Sequence, residues 1–394
     1  MKRIYVIILL LWTLFLSVNA QSSLPQILFE IENNNKILKA SKQSVQVQKV
    51  DARTGIYPSG LDVEYEQMFG NEASGNQKES ELTIKQGFDF PTSYYQRNKI
   101  ANIKSEQAEI QYSIIRQNIL LETKQLCVEL VFYNKVRSII LNRLNNTKEL
   151  NTSYKKRLEL GDANILEVNK IGLELLNVEN EFRLNEIELN NRLKKLTELN
   201  GGVDVYFNDT SYFDNHLPLS LNNILEKSFL VNPELKNMEH EKIIADKSVS
   251  LAKTLNLPKI SVGYKMNISS PEKFHGFVAG LSFPLWENKN MVNKAKAESI
   301  LADLEIDNVR LNQTNEIQQL YDKVIMLKKS SDEYKRLLST QNNNNLLKKA
   351  LDLGQISLLE YLTEVNFLYQ SNESSLQTER DYYLNLADLL KNDL

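Results

Sequence analysis

The chain has 394 residues, of which 42% are hydrophobic and 25% charged, with a formal net charge of −3 and one cysteine. The mild acidity argues against a nucleic-acid partner, which wants a basic face, and a lone Cys127 excludes an internal disulfide. Thirteen glycines and eight prolines are few for this length and, with abundant Leu, Ile, Asn, Lys and Glu, imply long uninterrupted helices.

The first twenty residues have the form of an export signal. Lys2 and Arg3 make a basic start, Ile4 to Leu16 is almost wholly apolar, and Val18-Asn19-Ala20 fits a cleavage site. The apolar run falls short of the ~20 residues of a comfortable membrane span, so an uncleaved anchor is the lesser alternative. Gln21 follows the site where a lipid-bearing Cys would stand. Removal of Lys2 and Arg3 leaves 45 basic and 50 acidic residues, a net charge of −5.

A short helical stretch is expected over residues 24–54. The texture then changes. Leu61, Val63 and Tyr65 alternate with Asp62, Glu64 and Glu66, and Leu82, Ile84, Phe88 and Phe90 share a parity opposite Thr83, Lys85 and Asp89. Alternation of period two marks strands with one apolar face, and the polar residues 70–78 between them are expected to form a turn region. From Thr92 to Arg157 there is no Gly and no Pro, and the 66 residues would make a helix about 100 Å long. Cys127 falls in an apolar part of it and is expected to be small and buried. After Leu160-Gly161 comes a shorter helix, 163–199, in which Val168, Leu175, Phe182, Leu189 and Leu196 recur every seven residues, a coiled-coil signal. Residues 200–219 form an irregular linker.

The same order then recurs. A short helix is expected at 220–255. Ile260, Val262, Tyr264, Met266 and Ile268 alternate with Ser261, Gly263, Lys265 and Asn267, and after a loop at about 269–275 come Phe277, Ala279, Leu281 and Phe283. Glu287 to Asp352 is again free of Gly and Pro. A last helix, 356–391, repeats Leu362, Tyr369, Leu376, Tyr383 and Leu390 in heptads. Leu353-Gly354 follows Leu160-Gly161 by 193 residues, and Phe283-Pro284 follows Phe90-Pro91 by the same 193. The chain is therefore an internal duplication, with repeats at 21–199 and 220–394. In each repeat the two short helices together come close to the length of the long one, as if stacked end to end beside it.

The strands have roughly the 9–11 residues that cross an outer membrane when tilted. Tyr57, Tyr94, Tyr95 and Trp286 near their ends suit aromatic girdles, although a soluble hairpin packed on a helix would share the alternation. Pro91 and Pro284 mark the strand-helix junctions, since proline ends ladder pairing and is welcome in a first helical turn. Four strands cannot close a barrel, for the smallest single-chain barrels have 8. An open edge in lipid leaves backbone groups unsatisfied, so membrane strands here require oligomerisation, with 8 strands in a dimer or 12 in a trimer.

With its duplicated order of helix, hairpin, long helix and short helix, the chain resembles the TolC-type outer-membrane efflux proteins over nearly its whole length. The strand-end prolines, the tips L-G-D-A-N-I-L-E-V (160–168) and L-G-Q-I-S-L-L-E-Y (353–361), and N-P-E-L at 232–235 carry the resemblance. It implies a mainly α fold with membrane β: long antiparallel coiled-coil helices forming an α-barrel in the periplasm, and four strands per chain in a shared 12-stranded barrel of a homotrimer in outer-membrane lipid. It implies an exit duct of a tripartite efflux pump or type I secretion system, with a periplasmic adaptor and an inner-membrane transporter as partners. Adaptor contacts would lie at the tips Leu160, Gly161, Asp162 and Leu353, Gly354, Gln355. The resemblance further implies acidic residues around a periplasmic aperture. Glu360 matches the first such position. The next is Thr363, with Glu364 beside it, and Glu167 is the counterpart of Glu360 in the first repeat.

No catalytic, cofactor or metal residues are expected. His216, His240 and His275 are far apart in sequence, and His240-Glu241 continues as Lys-Ile-Ile rather than as the zinc motif H-E-x-x-H. The chain has no phosphate-binding glycine loop, and scattered Met residues give no copper pathway. The rival from another class is a secreted coiled-coil protein with no channel. A periplasmic adaptor would instead carry one helical hairpin flanked by β-rich domains.

Overall fold

The computed structural model describes residues 23–72, 75–213, 220–269, 272–340 and 343–394. The expected export signal at 1–20 and the end of the linker, 214–219, lie outside the described residues. The elements in chain order are α1 (Leu24–Asn34), α2 (Lys36–Asp51), β1 (Leu61–Glu72), β2 (Gly75–Phe88), α3 (Pro91–Glu159), α4 (Ile165–Leu199), α5 (Leu221–Val231), α6 (Pro233–Thr254), β3 (Lys259–Ser269), β4 (Lys273–Ser282), α7 (Met291–Thr340), α8 (Asn343–Asp352) and α9 (Leu358–Leu389). A 3₁₀ turn, Lys391–Asp393, ends the chain. No described helix is long and apolar enough to cross a membrane.

The duplicated order holds, but several boundaries differ from the sequence pattern. Both short leading helices are broken at an asparagine. Asn35 separates α1 from α2, and Asn232 separates α5 from α6. Each Asn side chain accepts a backbone N–H of the helix that follows, from Leu38 at 2.9 Å and from Glu234 at 2.8 Å. Such capping makes a break inexpensive, because it supplies a partner to a helix-start N–H that otherwise has none. Asn35 also donates to the Leu199 carbonyl at 2.8 Å. One buried side chain thus joins the C-terminal end of α4 to the N-terminal end of α2, a head-to-tail arrangement favoured by the helix dipoles. The end-to-end stacking suggested by the lengths is present at this junction, but only the part of the first helix after Asn35 follows α4.

The long helix of the first repeat is unbroken over 69 residues. Its counterpart begins at Met291 rather than near 287, because residues 285–290 form turns and Asn290 has φ 68°. Pro91 is the first residue of α3, as its fixed φ favours. Pro284 lies between the end of β4 at Ser282 and these turns, so it marks the end of a strand without entering the first helical turn.

The chain divides into two compact units, each holding parts of both repeats. One comprises residues up to Lys39, Arg116–Lys227 and Asn315–Leu394, and the other Ala40–Ile115 and Ser228–Thr314.

The first unit is helical. The heptad positions named above on α4 are half of its seam. The other half, Ile171, Val178, Asn185 and Leu199, is buried, while Val168, Leu175 and Phe182 are half-buried, and the two sets interleave at the three-four spacing of a coiled coil. On α9 the more deeply buried heptad is Tyr361, Leu368, Ser375, Tyr382 and Leu389, one residue earlier than the sequence pattern placed it, with Leu362 of that pattern also buried and Tyr383 and Leu390 packed beside the core. The polar residues in this seam hid its phase. The described part of the linker, 200–213, is irregular as expected, yet it is packed: Phe207 is buried and the Asn134 side chain donates to the Asp209 carbonyl at 3.1 Å. Cys127 is buried, and desolvation pushes its thiol up to about 12, so it behaves as a small apolar residue.

Two buried charge clusters bind the helices of this unit. Arg143 on α3 reaches Glu174 at 2.6 Å and Glu181 at 2.7 Å on α4, and Asn366 at 2.8 Å on α9, and it lies over the Tyr369 ring at 5.1 Å. Glu379 on α9 is paired with Lys135 of α3 at 2.6 Å and Lys335 of α7 at 2.5 Å. Lys135 in turn lies over the Tyr212 ring, which stacks on Tyr383 at 4.2 Å.

The second unit carries the sheet, whose order is β1-β2-β3-β4 with every neighbour antiparallel. The expected turn at 70–78 is mostly strand: β1 and β2 pair as far as Glu72 with Gly75. The strands have 12, 14, 11 and 10 residues, so the first hairpin is longer than the sequence pattern indicated. Registered residues share a face. Val63, Ile84, Tyr264 and Phe277 therefore form one row across all four strands, and Leu61, Gln86, Val262 and Ala279 the next. The opposite face carries Asp62, Glu64, Glu66, Glu79, Glu81, Lys85 and Lys265, with Lys265 paired to Glu81. Among the described residues the apolar face is left open: Val63, Val262, Phe277 and Leu281 are all exposed.

Candidate functional site: two helical hairpin tips

The tips are built from the same local rules. At the first, α3 ends and Gly161 takes φ 80°; at the second, α8 ends and Gly354 takes φ 69°. A Cβ at either position would meet nothing within 4 Å, so glycine is required for its backbone conformation rather than for space. The Gly161 N–H donates to Leu158 and the Asp162 N–H to Arg157; the Gly354 N–H donates to Leu351 and the Gln355 N–H to Ala350. Both ends are thus Schellman motifs, which satisfy the last helical carbonyls.

The next helix starts with a capping box in each tip. Asn164 accepts the Glu167 N–H at 3.0 Å, and Glu167 accepts the Asn164 N–H at 2.9 Å. Ser357 accepts the Glu360 N–H at 3.2 Å, and Glu360 accepts both the Ser357 N–H and its hydroxyl at 2.8 Å. Glu167 and Glu360 therefore have a structural task, closing the first turn of α4 and α9. The sequence carried the signal for this, since N-x-x-E and S-x-x-E before an apolar run are capping-box patterns. Thr363 turns its hydroxyl to the Leu359 carbonyl at 2.8 Å, and Glu364 is exposed beside it.

The hydrogen bonds from Ser357 hold Glu360 below its ordinary carboxylate range. A group with a depressed folded pKa contributes stability that is complete above its unfolded value and is lost as pH falls through the lower folded one. Amide protection in the first turn of α9, relative to the intrinsic exchange rate at each pH, is thus expected to stay constant from neutral pH down to about 4.5, the ordinary value, and to fall below it. Protection that does not change on acidification would contradict this cap.

The tips pack on one another. Tyr154 of α3, Ile171 of α4, Leu351 of α8, and Leu358, Tyr361 and Leu362 of α9 make one buried cluster. Leu160 and Leu353 instead stand 76% and 64% exposed, 193 residues apart, flanking the glycines. Leu166 and Leu359, a second pair at that offset, are exposed as well. The duplication thus preserves two outward leucines per tip, where a soluble hairpin would gain nothing from them. The sequence pattern missed Leu166 and Leu359, although the constant offset could have revealed them. Asp162 and Gln355, at matching positions, are exposed and differ in charge. Among the described residues no group of three or more His, Cys, Asp or Glu is placed to hold a metal ion.

No protein-family model and no curated protein matches the sequence. Solved structures match over nearly its whole length. The CmeC outer membrane channel of Campylobacter jejuni is 16% identical, with a TM-score of 0.77 over 94% of this chain and 85% of that one. The outer membrane protein VceC of Vibrio cholerae is 14% identical, with a TM-score of 0.74 over 94% and 95%. The open state of the MtrE outer membrane channel of Neisseria gonorrhoeae is 13% identical, with a TM-score of 0.74 over 94% and 88%. At these identities the likeness is one of fold. The chain has the fold of outer-membrane channels, which is the fold the TolC-type resemblance implied.

Proposed function

We propose that this chain is the outer-membrane exit duct of a tripartite efflux pump or type I secretion system. In this reading it is a passive channel, a homotrimer whose helices line a periplasmic tunnel. The observation that carries the reading is the four-stranded sheet, with a bare apolar face and two unpaired edges, β1 and β4. In lipid those edges must be paired. Three copies placed edge to edge supply 12 strands, an even number above the minimum of 8 for a closed barrel. The polar face would then line the lumen.

The exposed leucines of the two tips support docking there of a periplasmic adaptor, through which an inner-membrane transporter would feed the duct. The duct has no phosphate-binding glycine loop, so the transporter would supply the energy. The pairs Leu160 and Leu353, and Leu166 and Leu359, give an adaptor two similar apolar footholds per chain. The proposed repeat boundaries, 21–199 and 220–394, would give near-sixfold symmetry in a trimer.

Planar-bilayer recording of the purified chain is expected to show discrete conductance steps; a protein recovered from the soluble periplasm with no conductance would overturn the reading. Glu360→Gln sharpens the test at the tip. Glutamine can serve in a capping box, so the helix start survives while the charge is lost. If three copies of Glu360 ring the aperture, with Glu364 near them, this variant changes cation preference. An unchanged preference would leave Glu360 with its capping task alone.

A further inference from the structure

We propose that Lys78, Lys273 and His275 form a binding site, on the lipid-facing side of the sheet, for the phosphate-bearing headgroup of an anionic outer-leaflet lipid. The inference rests on the membrane reading above and adds a ligand to it. Register fixes the placement. Lys78 is paired with Phe69, so it shares the face of Val63 and Tyr65. Lys273 is paired with Ile268, which is paired with Ser80, two residues from Lys78 on β2. His275 is paired with Met266, which is paired with Leu82. All three basic residues therefore lie on the apolar face, and all three are exposed.

Their depth is equally specific. Helices α2, α3, α6 and α7 adjoin one end of the strands, and the hairpin connections lie at the other. On the apolar face the rows run from Phe88, Ile260 and Leu281 near the helices, through Val63, Ile84, Tyr264 and Phe277 and then Tyr65, Leu82, Met266 and His275, to Gln67, Ser80, Ile268 and Lys273 near the hairpin ends, so His275 lies one row nearer the middle of the band than Lys273. Lys78 lies one row beyond. Lys78 and Lys273 are two strands and two residues apart, roughly 12 Å at ordinary strand spacing and rise, a gap that two lysine side chains can close around one headgroup.

The acidic residues are segregated by face, while lysines stand on both. Among residues with described side chains in the strands, the apolar face carries no Asp or Glu, whereas the other face carries Asp62, Glu64, Glu66, Glu79 and Glu81. Edge protection would account for a lysine on β4, since lysine blunts an open strand edge. Lys78 stands on β2, an inner strand, paired with Phe69 of β1 and one residue beyond the β2–β3 pairing that begins at Glu79. A cation at the rim of an apolar band gains by lying against an anionic lipid surface, while its aliphatic stem stays in contact with the apolar phase.

The test uses the full-length protein reconstituted into phosphatidylcholine vesicles with and without bisphosphorylated lipid A, followed by native mass spectrometry of the lipid retained after extraction. The wild type is expected to retain lipid A in preference to phosphatidylcholine. Loss of two lysines from an anionic surface lowers such a preference about 30-fold, so Lys78→Gln/Lys273→Gln/His275→Gln is expected to lose it. Lys85→Gln/Lys265→Gln, on the opposite face, is expected to keep it. Insertion without any preference for lipid A overturns the site while leaving the membrane reading intact; failure to enter either vesicle overturns both. Displacement of lipid A by inorganic phosphate at matched concentration would mark a free-anion site and also overturn the headgroup assignment.

Discussion

Phe277→Arg is expected to abolish assembly into membranes while leaving the helical unit folded. Phe277 is 94% exposed in the single chain, the extreme case on the bare face. If that face met water, the substitution would change stability by no more than about 0.5 kcal/mol, as exposed substitutions usually do. If it meets lipid, the outcome differs. The row Val63, Ile84, Tyr264 and Phe277 lies near the middle of the apolar band, where an arginine costs about 2–4 kcal/mol per chain. In an oligomer every copy bears that cost. The measurement is recovery of heat-modifiable oligomer in the outer-membrane fraction. Normal recovery would mean that the row does not face hydrocarbon.

Arg143→Ala is expected to destabilise the helical unit by about 3–5 kcal/mol, the range for breaking a buried pair. The Arg143 and Glu174 side chains are each only 13% exposed. Removing the guanidinium strands Glu174, takes the partner from Glu181 and frees Asn366, so contacts from α3 to both α4 and α9 fail together. Burial already raises the Glu181 carboxyl, and Arg143 is what counters that shift. Arg137→Ala is the matched control. Arg137 also pairs a glutamate on α4, Glu186 at 2.6 Å, but with 45% and 32% exposure, and such a surface pair contributes about 0–1 kcal/mol. Chemical denaturation of the two variants should separate them. Equal losses would show that Arg143 is not a buried hub.

Much of this was legible because it is local and periodic. Alternation such as Ile260 to Ile268 requires only a strand with one apolar face, and Gly161 and Gly354 mark reversals wherever a helix must end in a left-handed residue. The missing parts depend on distant or competing interactions. Nothing near Leu82 in sequence says that β2 pairs with β3, because that pairing joins the two repeats across the whole of α3 and α4. The break at Asn35 is stabilised by the Leu199 carbonyl, 164 residues away, so local propensity alone predicted a continuous helix. The α9 seam contains Ser375 and sits beside Glu379, whose burial is made tolerable by Lys135 and Lys335, so the apolar pattern followed the shallower side of the seam. At the tips the difficulty was of another kind. The capping-box spacing of Glu167 and Glu360 was visible, but the same glutamates also matched aperture positions, and only the geometry showed that their carboxylates are already engaged.

The claim on which the rest depends is that the open four-stranded sheet is completed by other copies of this chain. Light scattering of the full-length protein in detergent measures it directly. Three chain masses per particle, each no more than the 45.5 kDa of the full chain, is the expected result. A single chain mass in detergent, with the sheet intact, would contradict it, because four strands with both edges open cannot make a membrane barrel.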